Sequence, residues 1–285
     1  MKFCILRSGS SGNCTFIEHR NTRILLDAGG MSRKKLIALM GEIEVDPQTI
    51  TAVVGTHMHS DHINKSTLGF CRLFGSTLHL HRENSDAILR CFDEKTRQDV
   101  AIHLFDYAPF NIGSITFEPF RVSHDAAGVT SGFRFFASDV MNPEHIGYAA
   151  DLGCAPDTVL KSLKDCSILC LEANHDTDLL WKNPHRTYMH KKRVTGERGH
   201  LSNLQSAQAI SRIIEFSKSA PKKIILCHLS ADHNSPELAL QQVGDYLKEI
   251  GTFELIAARR HEKTVFFHAE GECLEETEQL SLFQA

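Results

Sequence analysis

Short apolar runs separated by polar turns open the chain. The segments FCILR (3–7), CTFIEH (14–19) and TRILLDA (22–28) have the length and residue types of strands. Glycine and serine in SGSSGN (8–13) favour a turn between the first two segments. The pattern therefore predicts a β-hairpin at the start of the chain.

A helical pattern follows this hairpin. Ser32 can cap a helix in which the apolar residues of KKLIALM (34–40) recur at helical spacing, and Gly41 is expected to end it. The next apolar run, AVVGT (52–56), is predicted to be a strand.

The rest of the chain repeats both patterns. Further strands are predicted at 76–81, 114–122, 131–139, 145–151, 167–173 and 221–230. Helices are predicted at 61–74, 84–92, 156–164, 202–217 and 236–249. Because strands and helices do not alternate strictly, mixed sheets covered by helices are favoured over a parallel doubly wound sheet.

The composition is that of a globular protein. Its 285 residues, 42% of them hydrophobic, suffice for a large core in one or two domains. The formal net charge of −4 argues against a generally basic surface, so an anionic partner would have to bind a local basic patch. There is no signal-peptide pattern and no apolar run of membrane-spanning length, so we expect a cytoplasmic protein without a membrane partner.

The nine cysteines include no CxxC pair. Cys4, Cys71, Cys170 and Cys227 all lie among apolar residues. Reduced thiols in the core are therefore expected, rather than disulfides or a zinc knuckle.

Four potential metal ligands lie close together in THMHSDHI (56–63), directly after a predicted strand. Imidazole and carboxylate groups are the usual ligands of zinc, manganese and iron. His57 and His59 are two residues apart in extended chain and can point toward one ion. Asp61 and His62 lie where a helix is expected to begin and can face a second ion. A hydrated polar loop, the alternative, would not require four such groups in one turn.

Two ions need more ligands than this segment supplies. His124, Asp151 and His228 each end or follow a predicted strand. A lone histidine at a strand end is usually a surface or capping residue, but these three form an ordered series with the first motif.

This series resembles that of the metallo-β-lactamase superfamily. The HxHxDH signature of the family is matched at 57–62, its early aspartate by Asp27, and the resemblance extends over about residues 1–268. The resemblance implies two divalent metal ions with these ligands: His57, His59 and His124 for one, Asp61, His62 and His228 for the other, and Asp151 between them.

The same resemblance implies the fold. It is an α/β, four-layer αββα sandwich in which two mixed β-sheets are flanked by helices, with the site at one edge between the sheets. We expect one domain over residues 1–285, with a tail from about residue 269 that is loosely ordered.

Four further segments narrow the resemblance. SGSSGN (8–13), LEANHD (171–176), RGHLSN (198–203) and HLSADHNSPELA (228–239) are similar to the YycJ/WalJ-type proteins, a group described as DNA exonucleases or phosphodiesterases. This similarity implies a hydrolase of phosphodiester bonds that acts from a 5′ end, with DNA preferred over RNA as substrate.

Two cations about 3.5–4 Å apart suit that reaction, because they lower the pKa of a bridging water and stabilise charge on the attacking and leaving oxygens. We expect in-line attack by the bridging hydroxide, with Asp61 orienting it as well as binding metal. Zinc, manganese and iron all fit ligands of this type. The sequence does not predict an oligomeric state.

His200, just before a predicted helix, can bind a phosphate or protonate the leaving oxygen. Ser202 and Asn203 can contact substrate, or they can simply cap that helix. Asn174 and His175 are further candidates for substrate binding, and a turn is the alternative for both.

Two more regions can contact a nucleic acid. Ser10, in the loop 8–13, can bind a phosphate, although a plain hairpin turn is the alternative. The segment 182–198 has six Lys or Arg, which form either a solvated loop or contacts with phosphates. Trp181 and Tyr188 can stack on exposed bases. Neutralising Lys191, Lys192 and Arg193 is predicted to weaken DNA binding and flatten its salt dependence.

Other activities remain open at this point. RNA or small cyclic phosphodiesters are alternative substrates, and related folds hydrolyse thioesters, lactams or lactones with the same metals and without a basic loop. A redox or binding protein on this fold is a third class, but the length leaves no room for a flavodoxin-like domain.

Overall fold

The computed structural model describes residues 1–269 and 272–273. The predicted tail beyond residue 269 falls almost wholly outside the described residues. Among the described residues, the strands are β1 (Lys2–Arg7), β2 (Cys14–His19), β3 (Thr22–Ala28), β4 (Ala52–Val54), β5 (Thr77–His81), β6 (Ile102–Phe105), β7 (Phe110–Ile112), β8 (Ile115–Val122), β9 (Thr130–Ala137), β10 (Val140–Met141), β11 (His145–Ala149), β12 (Cys166–Glu172), β13 (Lys223–Cys227), β14 (Glu254–Ala257), β15 (Phe267–His268) and β16 (Glu272–Cys273).

The helices in the same part of the chain are α1 (Arg33–Gly41), α2 (Lys65–Phe74), α3 (Ser85–Cys91), α4 (Glu94–Arg97), α5 (Asp157–Ser162), α6 (Thr177–Lys182), α7 (Tyr188–Val194), α8 (Asn203–Phe216) and α9 (Pro236–Leu247). No helix in the described ranges is both long enough and apolar enough to cross a membrane.

Most described strands belong to two seven-stranded mixed sheets. The first has the order β15-β1-β2-β3-β4-β5-β6 and the second β14-β13-β12-β11-β9-β8-β7, while β10 and β16 pair separately. In the first sheet β3 to β6 run parallel, and in the second β11 to β14 run parallel. The two sheets therefore have similar construction.

Three buried apolar clusters separate the layers. One joins the facing sides of the sheets through residues such as Leu26 and Ile225. The second covers the first sheet with α1 and α2, and the third covers the second sheet with α5, α8 and α9. This arrangement confirms the predicted four-layer αββα sandwich with two mixed sheets flanked by helices.

Several predicted boundaries differ from the structure. The predicted helix at 61–74 begins only at Lys65, because Asn64 accepts hydrogen bonds from Ser66 N and Thr67 N and forms a capping box with Thr67. Helix α1 continues through Gly41 instead of ending before it. The pattern also missed several short elements, whose few residues give little periodicity: β6, β7, β10, β14, β15, β16, α4, α6 and α7.

The cysteine prediction is confirmed for the four residues on which it rested. Cys4, Cys71, Cys170 and Cys227 are buried and free. Burial raises the pKa of the Cys170 thiol, which keeps it protonated and unreactive.

Candidate metal centre

The carboxyl ends of several strands meet at one edge of the sandwich. Strands β3 and β4 of the first sheet end there, as do the parallel strands β11, β12 and β13 of the second. Residues that directly follow these strands therefore come together although they are far apart in sequence. This edge contains all seven predicted metal ligands, which we call the centre: His57, His59, Asp61, His62, His124, Asp151 and His228.

The motif 56–63 forms a compact turn after β4. His62 N and Ile63 N donate to the His59 carbonyl at 3.0 and 2.9 Å, so Asp61 and His62 lie in a turn and not in the first turn of the predicted helix. Gly29 packs directly against this turn, since a Cβ there would lie 2.4 Å from the His62 carbonyl carbon. The end of β3 thus fixes the position of the ligands.

Three residues near strand ends have a left-handed backbone conformation, which directs their side chains toward the centre. Asp27, Asp151 and His228 follow or end strands with φ values of 57°, 56° and 55°. Residues other than glycine seldom adopt this conformation, and such strain is common at functional sites.

The first sheet supplies two imidazoles, each bound on its Nδ1. His62 Nδ1 donates to Asp27 Oδ2 at 2.7 Å, and His57 Nδ1 donates to Thr56 Oγ1 at 3.0 Å. Thr56 Oγ1 in turn donates to Asp27 Oδ2 at 3.0 Å. The Nε2 atoms of both rings are therefore left to face the centre. Histidines that bind a metal commonly donate the N–H of their other ring nitrogen to an acceptor in this way.

The second sheet orients its imidazoles in the same way. His124 Nδ1 donates to the Gly199 carbonyl at 3.1 Å, and His228 Nδ1 donates to Glu172 Oε1 at 2.8 Å. The same Glu172 oxygen accepts from His200 Nδ1 at 2.8 Å. A single buried carboxylate thus positions one candidate ligand and one candidate catalytic residue.

The spacing of the first ligand set fits a metal ion. His59 Nδ1 lies 3.0 Å from His57 Nε2 and 3.3 Å from His124 Nε2. Ligand nitrogens about 2.0–2.1 Å from a tetrahedral ion lie about 3.3 Å from one another. These three histidines can therefore hold one ion.

A second set lies beside the first, and Asp151 contacts both. Asp61 Oδ2 lies 3.4 Å from His62 Nε2 and 3.8 Å from His228 Nε2. Asp151 Oδ2 lies 2.7 Å from His62 Nε2, and its Oδ1 lies 3.5 Å from His124 Nε2. Buried acceptors remain without a hydrogen bond here, namely Asp151 Oδ2, whose contact with His62 lacks hydrogen-bond geometry, and His228 Nε2. Such atoms fit a cation.

The electrostatics of the centre also favour a cation. Burial would raise the pKa of Asp151, but the charges of His228 and His62 hold it well below its usual range. Burial would likewise raise the pKa of Glu172, yet His200 and His228 lower it to about 2. Burial lowers the pKa of His57 well below its ordinary value, so this ring is neutral and can act as a ligand. The ionised Asp151 and the neutral His57 are thus in the protonation states that metal ligands require.

A cleft of about 380 Å³ opens beside the centre. We call it the cleft; its lining includes Ser10, Asn174 and His200, and also Arg186, Arg193 and Arg260. Asn174 Nδ2 donates to the His228 carbonyl at 2.9 Å. Of the predicted substrate residues, the structure therefore brings Ser10, Asn174 and His200 together.

The other three predicted substrate residues do not line the cleft. His175, Ser202 and Asn203 line a separate pocket with Asp176, Asp178, Gln242, Asp245 and Tyr246. Ser202 caps α8 by accepting from Gln205 N at 3.2 Å, and Asn203 Nδ2 donates to Gln242 Oε1 at 2.8 Å. Ser202 is used as the cap of α8, and Asn203, the first residue of that helix, is hydrogen-bonded within the fold, so the structure favours the structural alternative for both. His175 Nδ1, in contrast, is buried without a hydrogen-bond partner.

The basic segment 182–198 also differs from the prediction. Lys191 is only 9% exposed, and its Nζ donates to the Trp181 carbonyl at 2.7 Å, so it cannot contact DNA without leaving this site. Arg193 lines the cleft but is paired with Asp125, its Nη2 donating at 3.0 Å. Trp181 and Tyr188 form an exposed aromatic pair with ring centroids 5.9 Å apart, outside the residues that line the cleft.

Several residues that the structure places at the centre were not predicted from the sequence. Glu172 and Thr56 orient histidines, and Asn13 Nδ2 lies 2.9 Å from His62 Nε2 and 3.4 Å from Asp61 Oδ2. Glu172 ends a strand in the segment LEANHD, which was a usable signal. Asn13 likewise lies in the segment SGSSGN, but only its contacts with Asp61 and His62 show its role.

Comparison with known proteins agrees with this geometry. Residues 7–133 match the family described as the metallo-beta-lactamase superfamily. Exodeoxyribonuclease WalJ of Streptococcus pneumoniae (serotype 2, strain D39) is 32% identical over 239 residues, which are 84% of this chain and 85% of that protein. The chain belongs to the metallo-β-lactamase superfamily. As a member of this superfamily, it is a metal-dependent hydrolase.

Other members of the metallo-β-lactamase superfamily match over a similar length. Exodeoxyribonuclease YycJ of Bacillus anthracis is 29% identical over 252 residues, covering 88% of this chain and 90% of that protein. The crystal structure of the metallo-beta-lactamase fold protein YhfI from Bacillus subtilis has a TM-score of 0.67 at 15% identity and covers 92% of this chain and 98% of that one. This last similarity concerns the fold alone.

Proposed function

We propose that the chain is a DNA nuclease that hydrolyses phosphodiester bonds with two divalent metal ions and degrades DNA from a 5′ end. The observation that carries this proposal is the pair of adjoining ligand sets, linked by Asp151, beside a cleft lined by arginine and histidine. The names of the relatives WalJ and YycJ, both exodeoxyribonucleases, support DNA as the substrate.

The residues of the centre would hold the ions as two adjoining sets. His57, His59 and His124 would bind one ion, and Asp61, His62 and His228 the other, with Asp151 between them. When bound, zinc, manganese or iron would lower the pKa of water and neutralise charge on the phosphodiester oxygens.

Asp61 is positioned to orient the attacking group. Its side chain is partly exposed, and Oδ2 lies close to both His62 Nε2 and His228 Nε2. Asn13 Nδ2, a hydrogen-bond donor 3.4 Å from the same oxygen, holds the carboxylate in place. Asp61 can therefore accept a hydrogen bond from the attacking group, and so orient it, while it binds metal.

His200 lines the cleft beside the centre, where it can act on a bound phosphate. Burial would lower the pKa of His200, but the charge of Glu172 and its hydrogen bond raise it. Its Nδ1 donates to Glu172 Oε1, so the Nε2 is the nitrogen left for the substrate. A protonated His200 can donate to a phosphate oxygen or to the leaving oxygen.

The test uses metal-depleted protein reloaded separately with zinc and manganese. Each form is assayed on 5′-labelled single-stranded and double-stranded DNA, RNA, bis(p-nitrophenyl) phosphate and a thioester. We expect metal-dependent cleavage of DNA, with the label released early as a short product. Asp61→Asn should reduce kcat by at least about 100-fold.

Asp86→Asn is the matched control, because Asp86 is an exposed aspartate on α3, away from the centre. It should leave kcat unchanged. Hydrolysis of the thioester alone, or full activity of the Asp61→Asn protein, would contradict the proposed function. Cleavage of RNA in preference to DNA would identify RNA, and not DNA, as the substrate.

A further inference from the structure

Two arginines flank the loop 8–12 at one end of the cleft. Arg7 donates from Nη2 to Ser11 Oγ at 3.2 Å, while its buried Nε has no hydrogen-bond partner. Arg260 lies over Gly9, since a Cβ at Gly9 would be 3.7 Å from Arg260 Nε. Arg260 lines the cleft with Ser10 and Ser11. Arg7 and Arg260 are therefore the two basic residues next to this loop.

Neither of these two arginines forms an ion pair within the part of the chain that the structure describes. The other two arginines of the cleft do, Arg186 with Asp232 and Arg193 with Asp125. Asp232, which lines the cleft, is thus already paired with Arg186 and only attracts Arg260 over a longer range, so the loop 8–12 forms a basic end of the cleft.

A partly buried pair of like charges is unfavourable unless an anion compensates it. The guanidinium groups of Arg7 and Arg260 lie against Ser11 and Gly9 of the same short loop, and both burial and the charge of Arg260 lower the pKa of Arg7. Guanidinium groups bind phosphate through charge-assisted, often bidentate hydrogen bonds, and the adjacent serine hydroxyls can add donors. A phosphate therefore matches both the charge and the donors of this site.

The loop between the arginines is attached directly to the centre. The hydroxyl of Ser8 accepts from His228 N at 2.8 Å, and the backbone N of Asn13 donates to the Asp61 carbonyl at 2.9 Å. A ligand at the arginines would consequently lie next to the ligand set of Asp61, His62 and His228, while remaining separate from it.

We propose that Arg7, Arg260, Ser10 and Ser11 form a subsite for a phosphate of the substrate other than the one that is cleaved. This inference rests on the proposed function, since it deepens the substrate class of the same cleft. A terminal 5′-phosphate and an internal backbone phosphate have the same chemistry here, so the experiment must distinguish them.

The experiment compares Arg260→Gln with Arg259→Gln in the metal-loaded full chain. The neighbouring Arg259 loses the same charge, but it is paired on the surface with Glu237 at 3.0 Å. Binding is measured by fluorescence anisotropy on a hydrolysis-resistant phosphorothioate oligonucleotide at several salt concentrations. We expect Arg260→Gln to weaken binding about tenfold and to lower the salt slope by about 1, while Arg259→Gln changes neither.

Kinetics provide the second measurement. Arg260→Gln should raise KM more for oligonucleotides than for bis(p-nitrophenyl) phosphate, which has no second phosphate. A larger effect on 5′-phosphorylated than on 5′-hydroxyl DNA would assign a terminal phosphate, and equal effects an internal one. Arg7→Lys keeps the positive charge but removes the guanidinium group that can donate two parallel hydrogen bonds. It should therefore weaken oligonucleotide binding less than Arg260→Gln does.

The outcomes separate the two proposals. Equal binding by Arg260→Gln and Arg259→Gln would overturn the subsite, even if DNA cleavage persists. If the chain does not hydrolyse DNA, the proposed function fails, but the anisotropy difference between the two variants still tests the subsite by itself.

Discussion

At the scale of single residues, the geometry of the centre depends on groups that accept hydrogen bonds from the Nδ1 atoms of its histidines. Glu172 is fully buried, and one of its oxygens accepts from both His200 and His228. Its other oxygen accepts from Leu152 N at 3.0 Å, which fixes the carboxylate next to the turn that follows Asp151. Glu172 therefore controls the orientation of two rings with different expected roles.

Replacing Glu172 by Gln should weaken metal binding by about 10- to 100-fold and lower kcat as well, because the amide no longer offers an ionised acceptor to both rings. Metal affinity is measured by competition with a chromophoric chelator, and kcat on DNA at saturating metal. Glu197→Gln, three residues before His200 and exposed, is the control and should behave as the unmodified protein. Unchanged metal affinity in Glu172→Gln would show that the carboxylate does not orient His228.

At the scale of elements, the basic residues of helix α7 lie in different environments. His190, Arg193 and Val194 line the cleft, whereas Lys192 Nζ lies 5.7 Å from the ring of Tyr188, one turn away along the helix. Lys191 crosses to α6 and binds the Trp181 carbonyl. The three consecutive basic residues thus have three different environments, which a count of charges does not distinguish.

Lys191→Gln should lower the free energy of unfolding by about 1–3 kcal/mol, because the shorter side chain leaves the Trp181 carbonyl without its charged donor. Lys192→Gln, an exposed neighbour, should change it by less than about 0.5 kcal/mol. Urea denaturation of the metal-loaded protein measures both. Equal stability of the two variants would mean that the Lys191 hydrogen bond contributes nothing. Weaker DNA binding on neutralisation stays a prediction for Lys192 and Arg193.

At the scale of the whole molecule, the centre lies where the two sheets meet. Its ligands come from the turn after β4 in the first sheet, and from positions that follow β8, β11 and β13 in the second. Ions held between these segments would link the two halves of the sandwich. Metal binding should therefore contribute to the stability of the fold as well as to the reaction.

Removal of metal by a chelator should lower the melting temperature by about 8–16 °C. At metal concentrations of about 1,000 Kd the stabilisation is about 4 kcal/mol, and each kcal/mol corresponds to about 2–4 °C in proteins of similar size. Differential scanning fluorimetry with and without added zinc or manganese measures the shift. Asp151→Asn should show a much smaller shift, while Asp86→Asn should show the full one. An equal melting temperature with and without metal would contradict metal binding between the two sheets.

The sequence by itself determined the features that depend on neighbouring residues. Apolar periodicity located the long strands and helices. THMHSDHI indicated a candidate metal site, because a turn seldom needs four ligand-type side chains for folding alone. The later ligands His124, Asp151 and His228 could also be found, since each stands at the end of a strand and those ends meet at one edge.

Only the tertiary structure decided the features that depend on distant contacts. Glu172 reaches His200 and His228 across 28 and 56 positions of the chain, and Arg7 meets Arg260 only because β1 lies beside the segment that leads to β15. The burial of Lys191 and the hydrogen bonds of Asn203 to Asn234 and Gln242 likewise follow from packing. Local patterns record which side chains a segment presents, whereas their partners are set by how the sheets and helices come together.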